Sequence, residues 1–137
     1  MKTSARNQLK GTITQIIEGK VNDEVVIDIS GTTLKAVITK EAVNEMALAV
    51  GTEVYAIIKA SFVMIAKDKP GKISTRNVLE TTVNDIIEGM VNSELKLSLG
   101  SSTLTAVITE EALKDLEIAK GDTVYALIKA NCIILAQ

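Results

Sequence analysis

Residues Leu95 to Leu99 read LKLSL, a strict alternation of apolar and polar side chains. Successive residues of a strand face opposite sides of a sheet. Leu95, Leu97 and Leu99 therefore face a core, and Lys96 and Ser98 face outward. The same reading places Val25, Ile27 and Ile29 of VVIDI inside, with Val26 and Asp28 outside. Around this strand the pattern predicts others: a first over Leu9–Ile17, a second over Glu24–Ser30, and a third over Thr32–Thr39 after a turn at Ser30-Gly31. TKEAVNEMAL then changes period. Thr39 suits a helix N-cap, Glu41 the first turn, and Val43, Met46 and Ala47 a core stripe at helical spacing. Gly51 and Gly121 mark turns into a fourth strand, TEVYAIIKA in the first instance, and FVMIA is a fifth strand that closes the unit.

The whole pattern occurs twice. A shift of 70 positions lays residues 4–67 on 74–137 without a gap, with about 29 of 64 positions identical. IIEGKVNDE returns as IIEGMVNSE, TLKAVITKEA as TLTAVITEEA, and VYAIIKAS as VYALIKAN. The expected organisation is a first domain over residues 1–67, a linker over 68–73 and a second domain over 74–137. Pro70-Gly71 interrupts any regular element there. Five strands with one helix between the third and fourth predict a mostly β chain of two tandem OB-like five-stranded small barrels.

In the fourth strand Val54, Ala56 and Ile58 alternate inward, yet Tyr55 and Ile57 opposite them are also apolar, as are Tyr125 and Leu127. Such a strand needs cover outside its barrel. A unit this small also buries only about 60% of its unfolded surface. Both features predict a homo-oligomer.

Composition narrows the chemistry. The 137 residues carry a net charge of −2, 47% apolar residues, 2% aromatics and no histidine. A zinc site or a Ser-His-Asp triad is out of reach. Cys132, the single cysteine, lies in CIILA and is expected as a buried core thiol. No apolar run approaches the ~20 residues of a membrane span, and MKTSARNQLKG holds no apolar signal segment. A cytoplasmic protein without a membrane partner is the expectation. Asp23-Glu24 and Glu110-Glu111 are carboxylate pairs, but solvation at a turn and at a helix start accounts for them, so no enzyme is expected.

Two short stretches retain their chemistry while their neighbours drift. Ser4, Arg6 and Asn7 return as Ser74, Arg76 and Asn77, whereas Gln8, Lys10 and Gly11 become Val78, Glu80 and Thr81. Lys59-Ala60-Ser61 returns as Lys129-Ala130-Asn131. Guanidinium, ammonium, hydroxyl and main-chain N–H groups are all hydrogen-bond donors, and two are cationic. Together they suit a compact anion with several acceptor oxygens.

SARNQLKG, EGKVNDEV, VITKEAV and VYAIIKASFVMIA resemble, in order and spacing, the molybdate-binding Mop-type domains of molbindins. The chain looks like two tandem Mop/TOBE-like domains. The resemblance implies a cytoplasmic oxyanion-binding protein for molybdenum storage or homeostasis, with molybdate (or tungstate) as ligand and the metal bound only as its oxyanion. It implies a trimer of two-domain chains, anions at interfaces between domains, and a site built from Ser4, Ala5 and Arg6 with Lys59, Ala60 and Ser61 of a neighbouring domain. The second set is Ser74, Thr75, Arg76, Lys129, Ala130 and Asn131. A further family site falls on Gly19, Lys20, Val21 and Asn22 and on Gly89, Met90, Val91 and Asn92, where Lys20 becomes Met90.

The competing readings are a tungstate-preferring carrier and an OB-type nucleic-acid-binding module. Stacking on single strands needs exposed aromatics, and only Tyr55, Tyr125 and Phe62 exist, so no nucleic-acid partner is expected. No phosphate-loop GxxxxGK[ST] occurs, and a sensor-like binding part alone is expected.

Overall fold

The computed structural model describes all 137 residues. Strands β1 (Asn7–Ile17), β2 (Asn22–Ile29) and β3 (Thr32–Thr39) lead into helix α1 (Lys40–Glu45) and strand β4 (Glu53–Ile58). A short 3-10 turn, Ala60–Phe62, precedes β5 (Met64–Ala66). The second repeat gives β6 (Asn77–Ile87), β7 (Asn92–Leu99), β8 (Ser102–Thr109), α2 (Glu110–Asp115), β9 (Thr123–Ile128), a 3-10 turn (Ala130–Cys132) and β10 (Ile134–Ala136).

The alternation places the core as expected. Val25, Ile27, Ile29, Leu95, Leu97, Leu99, Val54, Ala56 and Ile58 are all buried. Strand β1 serves two neighbours. It pairs with β4 through Asn7–Thr12 and with β2 through Thr12–Ile17, with a register shift between Ile13 and Gln15. That bulge bends the strand and turns the barrel's corner. Thr39 caps α1, its hydroxyl accepting from the Ala42 N–H at 3.1 Å. The hairpin residues Ser30 and Gly31 both have positive φ, 51° and 83°, as a type I′ turn requires. In the second repeat the order is reversed to Gly100-Ser101, and only Gly100 has positive φ, the sign pattern of a type II′ turn.

One expectation is corrected on topology. The fifth strand does not close its own unit. β10 pairs with β4, and β5 pairs with β9. The two sheets run β10-β4-β1-β2-β3 and β5-β9-β6-β7-β8. Each barrel is finished by the other repeat's last strand, through Ile134↔Ile57 to Ala136↔Tyr55 and Met64↔Leu127 to Ala66↔Tyr125. The bend at the 3-10 turn, immediately after β4 or β9, directs the strand across to its neighbour. It also ends the fourth strand at Ile58, so Lys59 stands just beyond the sheet.

Local corrections have the same origin in close packing between repeats. Val26 points outward but is buried, because the β2–β3 outer face meets the other repeat, whose 3-10 turn packs on β3. Ala47 is exposed with φ 51°. It leaves the helix in a left-handed turn, and Leu48 takes the core position instead. Cys132 is half-buried, since the 3-10 turn sends Ala130 and Ile133 inward and leaves the thiol at the rim. Asp23 is buried rather than solvated. It accepts from the Gly19 N–H at 3.0 Å and pairs with Lys40 at 3.2 Å. Glu110 is likewise largely covered, held by Ser93 and Lys114.

The retained asparagines join the barrels. Asn7 is buried; its Nδ2 donates to the Thr105 carbonyl at 2.8 Å and the Ile58 carbonyl at 3.2 Å, and its Oδ1 accepts from the Thr105 N–H at 2.7 Å. Asn77 does the same to Lys35, at 2.8 Å in both directions, and to the Ile128 carbonyl at 3.1 Å. Each amide side chain thus acts as one extra peptide group on the unpaired edge of β8 or β3.

Replacing Asn7 by Ala strands buried donor and acceptor groups of Thr105. Asn7→Ala is expected to destabilise the protein by about 3 kcal/mol, read as a lowered denaturation midpoint. The exchanged strands predict a second outcome. A protease site inserted between Lys69 and Lys72, once cut, leaves two halves that co-elute under native conditions and separate only in denaturant. Halves that part on native gel filtration would contradict the exchange.

Candidate functional site

The β1–β4 pairing brings Asn7 opposite Ile58. The residues just before β1 and just after β4 are therefore forced together, and the same holds for β6 and β9. Ser4, Ala5, Arg6, Lys59, Ala60 and Ser61 line one concavity of about 630 Å³, with Ile57 and Phe62. Its far wall comes from the other repeat, through Val107, Cys132 and Ile134. Ser74, Thr75, Arg76, Lys129, Ala130 and Asn131 line its twin of about 550 Å³, opposite Val37 and Met64. Within the chain, both segments of each set thus come from one repeat, and the neighbouring repeat supplies mainly apolar wall.

The donors are placed by different means. Lys59 Nζ lies 5.1 Å from the centroid of the Phe62 ring, a cation–π contact that fixes the ammonium near the mouth. Lys129 has no such support, since Cys132 stands where Phe62 would. The N–H groups of Ala60 and Ser61 open a 3-10 turn and find no acceptor within the chain. The Ala5 N–H is already used, donating to Thr3 Oγ1 at 3.0 Å. Thr75 is not equivalent to Ala5: its hydroxyl turns inward and donates to the Ile128 carbonyl at 2.8 Å.

Each arginine reaches across the repeat boundary to a carboxylate. Arg6 Nη2 pairs with Glu94 Oε1, and Arg76 Nε lies 3.5 Å from Glu24 Oε1. Both glutamates are mostly covered, while both arginine side chains stay more than half exposed. A guanidinium has five N–H donors, so one carboxylate contact leaves others unused on an arginine that lines each concavity. These glutamates were missed in the sequence. Their only signal is that the match IIEGKVNDE/IIEGMVNSE ends in Glu in both copies.

The further site expected after the first strand divides. Gly19 and Asn22 line a smaller hollow of about 270 Å³ with Glu18, Asp23, Glu24 and Arg76; Lys20 and Val21 are exposed outside it. The Gly19 N–H is taken by Asp23. That hydrogen bond first, and then Lys40, holds the Asp23 carboxyl below its ordinary value, while Asp23 in turn raises Lys40. Glu18 and Asp23 both lie beside Lys40, and Glu24 pairs with Arg76, so the charged groups of this hollow are engaged with one another. In the second repeat Gly89 donates weakly to Ser93 at 3.4 Å, Met90 and Val91 are exposed, and Asn92 opens β7. No group of three or more His, Cys, Asp or Glu side chains is arranged to hold a metal ion directly.

Comparison with known proteins bears on both repeats. The chain is 46% identical over its whole length to the molybdenum-pterin-binding protein MopA of Rhodobacter capsulatus, covering 53% of that protein. It is 41% identical over 99% of its length to the molybdenum transport protein ModE of Azotobacter vinelandii, covering 51% of it. The chain therefore spans about half the length of these curated relatives. The crystal structure of the cytoplasmic molybdate-binding protein ModG, with molybdate bound, superposes with a TM-score of 0.94 at 41% identity, covering 99% of both chains. The TOBE domain profile matches residues 3–65 and again 73–135. With nearly the whole chain accounted for by those two matches, the protein belongs to the TOBE domain family and carries its domain twice.

Proposed function

We propose that the protein binds molybdate in the cytoplasm, as a store or buffer, in the two concavities that carry Arg6 with Lys59 and Arg76 with Lys129. The observation that carries this reading is the convergence of cationic and neutral hydrogen-bond donors at the equivalent place in both repeats. Molybdate is a tetrahedral dianion with its metal enclosed in oxygen. A site for it must replace a hydration shell with fixed N–H and O–H donors, and needs no soft metal ligand. Each hydrogen bond to a charged group contributes on the order of 1.5–3 kcal/mol. The relatives' names and the molybdate-bound ModG structure support the same ligand.

The concavities are open on one side and rimmed by exposed apolar groups, Phe62, Met64 and Ile134. This supports assembly, with a further copy of the chain closing each site, and a trimer places six barrels around one axis. An anion held between chains then stabilises the assembly by mass action. The third hollow, where Glu18 and Asp23 engage Lys40, Glu24 engages Arg76 and the Gly19 N–H is taken by Asp23, is not assigned to the anion. No helix is long and apolar enough to cross a membrane.

Elemental analysis of purified protein gives molybdenum per chain directly, and its absence after incubation with molybdate would end this reading. Arg6→Ala is expected to weaken the first-repeat sites about tenfold to a hundredfold by titration calorimetry, with the fold intact. Affinity should stay nearly flat between pH 6 and 8. There is no histidine, and the displaced groups all move away from neutrality. Asp23 and Asp122 fall from 3.8, Lys40 rises from 10.5, and Tyr125 rises from 10.0, mainly by burial. A steep profile in that window would contradict the assignment.

A further inference from the structure

The two repeats treat their arginines differently. Arg6 pairs with Glu94, and Lys96 Nζ lies 3.6 Å from the other oxygen of the same carboxylate. Lys96 also donates to Thr105 Oγ1 at 3.3 Å, on the residue whose backbone holds Asn7. In the first repeat Val26 stands where Lys96 would, so Glu24 has Arg76 alone, at 3.5 Å. Glu24 Oε1 is buried and makes no hydrogen bond. Lys35, opposite Val26 on the next strand, forms no ion pair with Glu24.

We propose that Lys96 is a positioning residue that makes the two oxyanion sites unequal, the Arg6 concavity binding more tightly than the Arg76 concavity. This rests on the molybdate reading above. The physical reason is charge sharing. A carboxylate divided between two cations neutralises each less than one that serves a single cation. Arg6 therefore keeps more of its charge for the ligand, and its guanidinium is fixed by a carboxylate that is itself fixed from two sides. Preorganised donors spend less ordering entropy on binding. Arg76 faces a carboxylate with no other partner, so a dianion at that site must compete with Glu24 for the same group. Lys96 acts through Glu94 and Arg6 and need not touch the ligand.

The test is titration of the intact, assembled protein with molybdate, each site class assigned by its loss in Arg6→Ala or Arg76→Ala. The wild type should show two classes, the tighter one dependent on Arg6. Lys96→Met, which keeps length but not charge, should weaken that class roughly fivefold and leave the Arg76-dependent class unchanged as an internal control of folding. Lys96→Arg should restore it, which a merely space-filling role would not require. Two classes that are equal, a tighter Arg76-dependent class, or a Lys96→Met variant identical to wild type would each overturn the proposal while leaving molybdate binding in place. A wild type that takes up no molybdate would overturn the underlying reading instead.

Discussion

A strand at the edge of a sheet carries unpaired N–H and C=O groups, and a barrel this small has no spare chain with which to cover them. Here the solution is mutual. Each repeat lends its last strand to the other's fourth strand and presses a buried asparagine onto the other's third. The two barrels are therefore one hydrogen-bonded body. The positions of the residues in the two concavities follow from that body, because the concavities lie where the strand exchange and the asparagine clasp bring opposite repeats together.

The same constraint explains which features could be read from the sequence. Alternation located Leu95, Leu97 and Leu99, and the Thr39 cap followed from local chemistry, because each depends on residues a few positions apart. The destination of the fifth strand does not. FVMIA and CIILA are chemically interchangeable apolar strands, so either could complete either barrel. Direction is set by a 3-10 bend whose main-chain geometry leaves no mark in the apolar pattern. Cys132 was misread for that reason: it was placed in the core because it stands in the apolar run CIILA, but it sits on the bend.

Candidate site residues divide along the same line. Arg6 and Lys59 could be grouped from sequence because both return in the second copy, as Arg76 and Lys129, while neighbours drift. Asn7, retained in the same motif, does structural work across the repeat boundary. Glu94 was invisible as a partner of Arg6 because nothing local links the two; only the packing of one barrel on the other brings them into contact. Retention between copies marks a residue as constrained without saying whether a ligand or a neighbouring strand imposes the constraint.

Interlocking also changes what binding at one concavity means. Arg6 belongs to the first repeat, its counter-carboxylate Glu94 to the second, and Thr105 links Lys96 to Asn7 and so back to the first. A ligand that draws on the Arg6 charge is thus balanced by groups on both barrels, and the relative placement of the barrels is part of the site. Duplication within one chain makes such a site open to divergence. The two halves are held in fixed apposition by strands that neither can withdraw alone, so the position that is valine on β2 and lysine on β7 sets apart two concavities that share one frame.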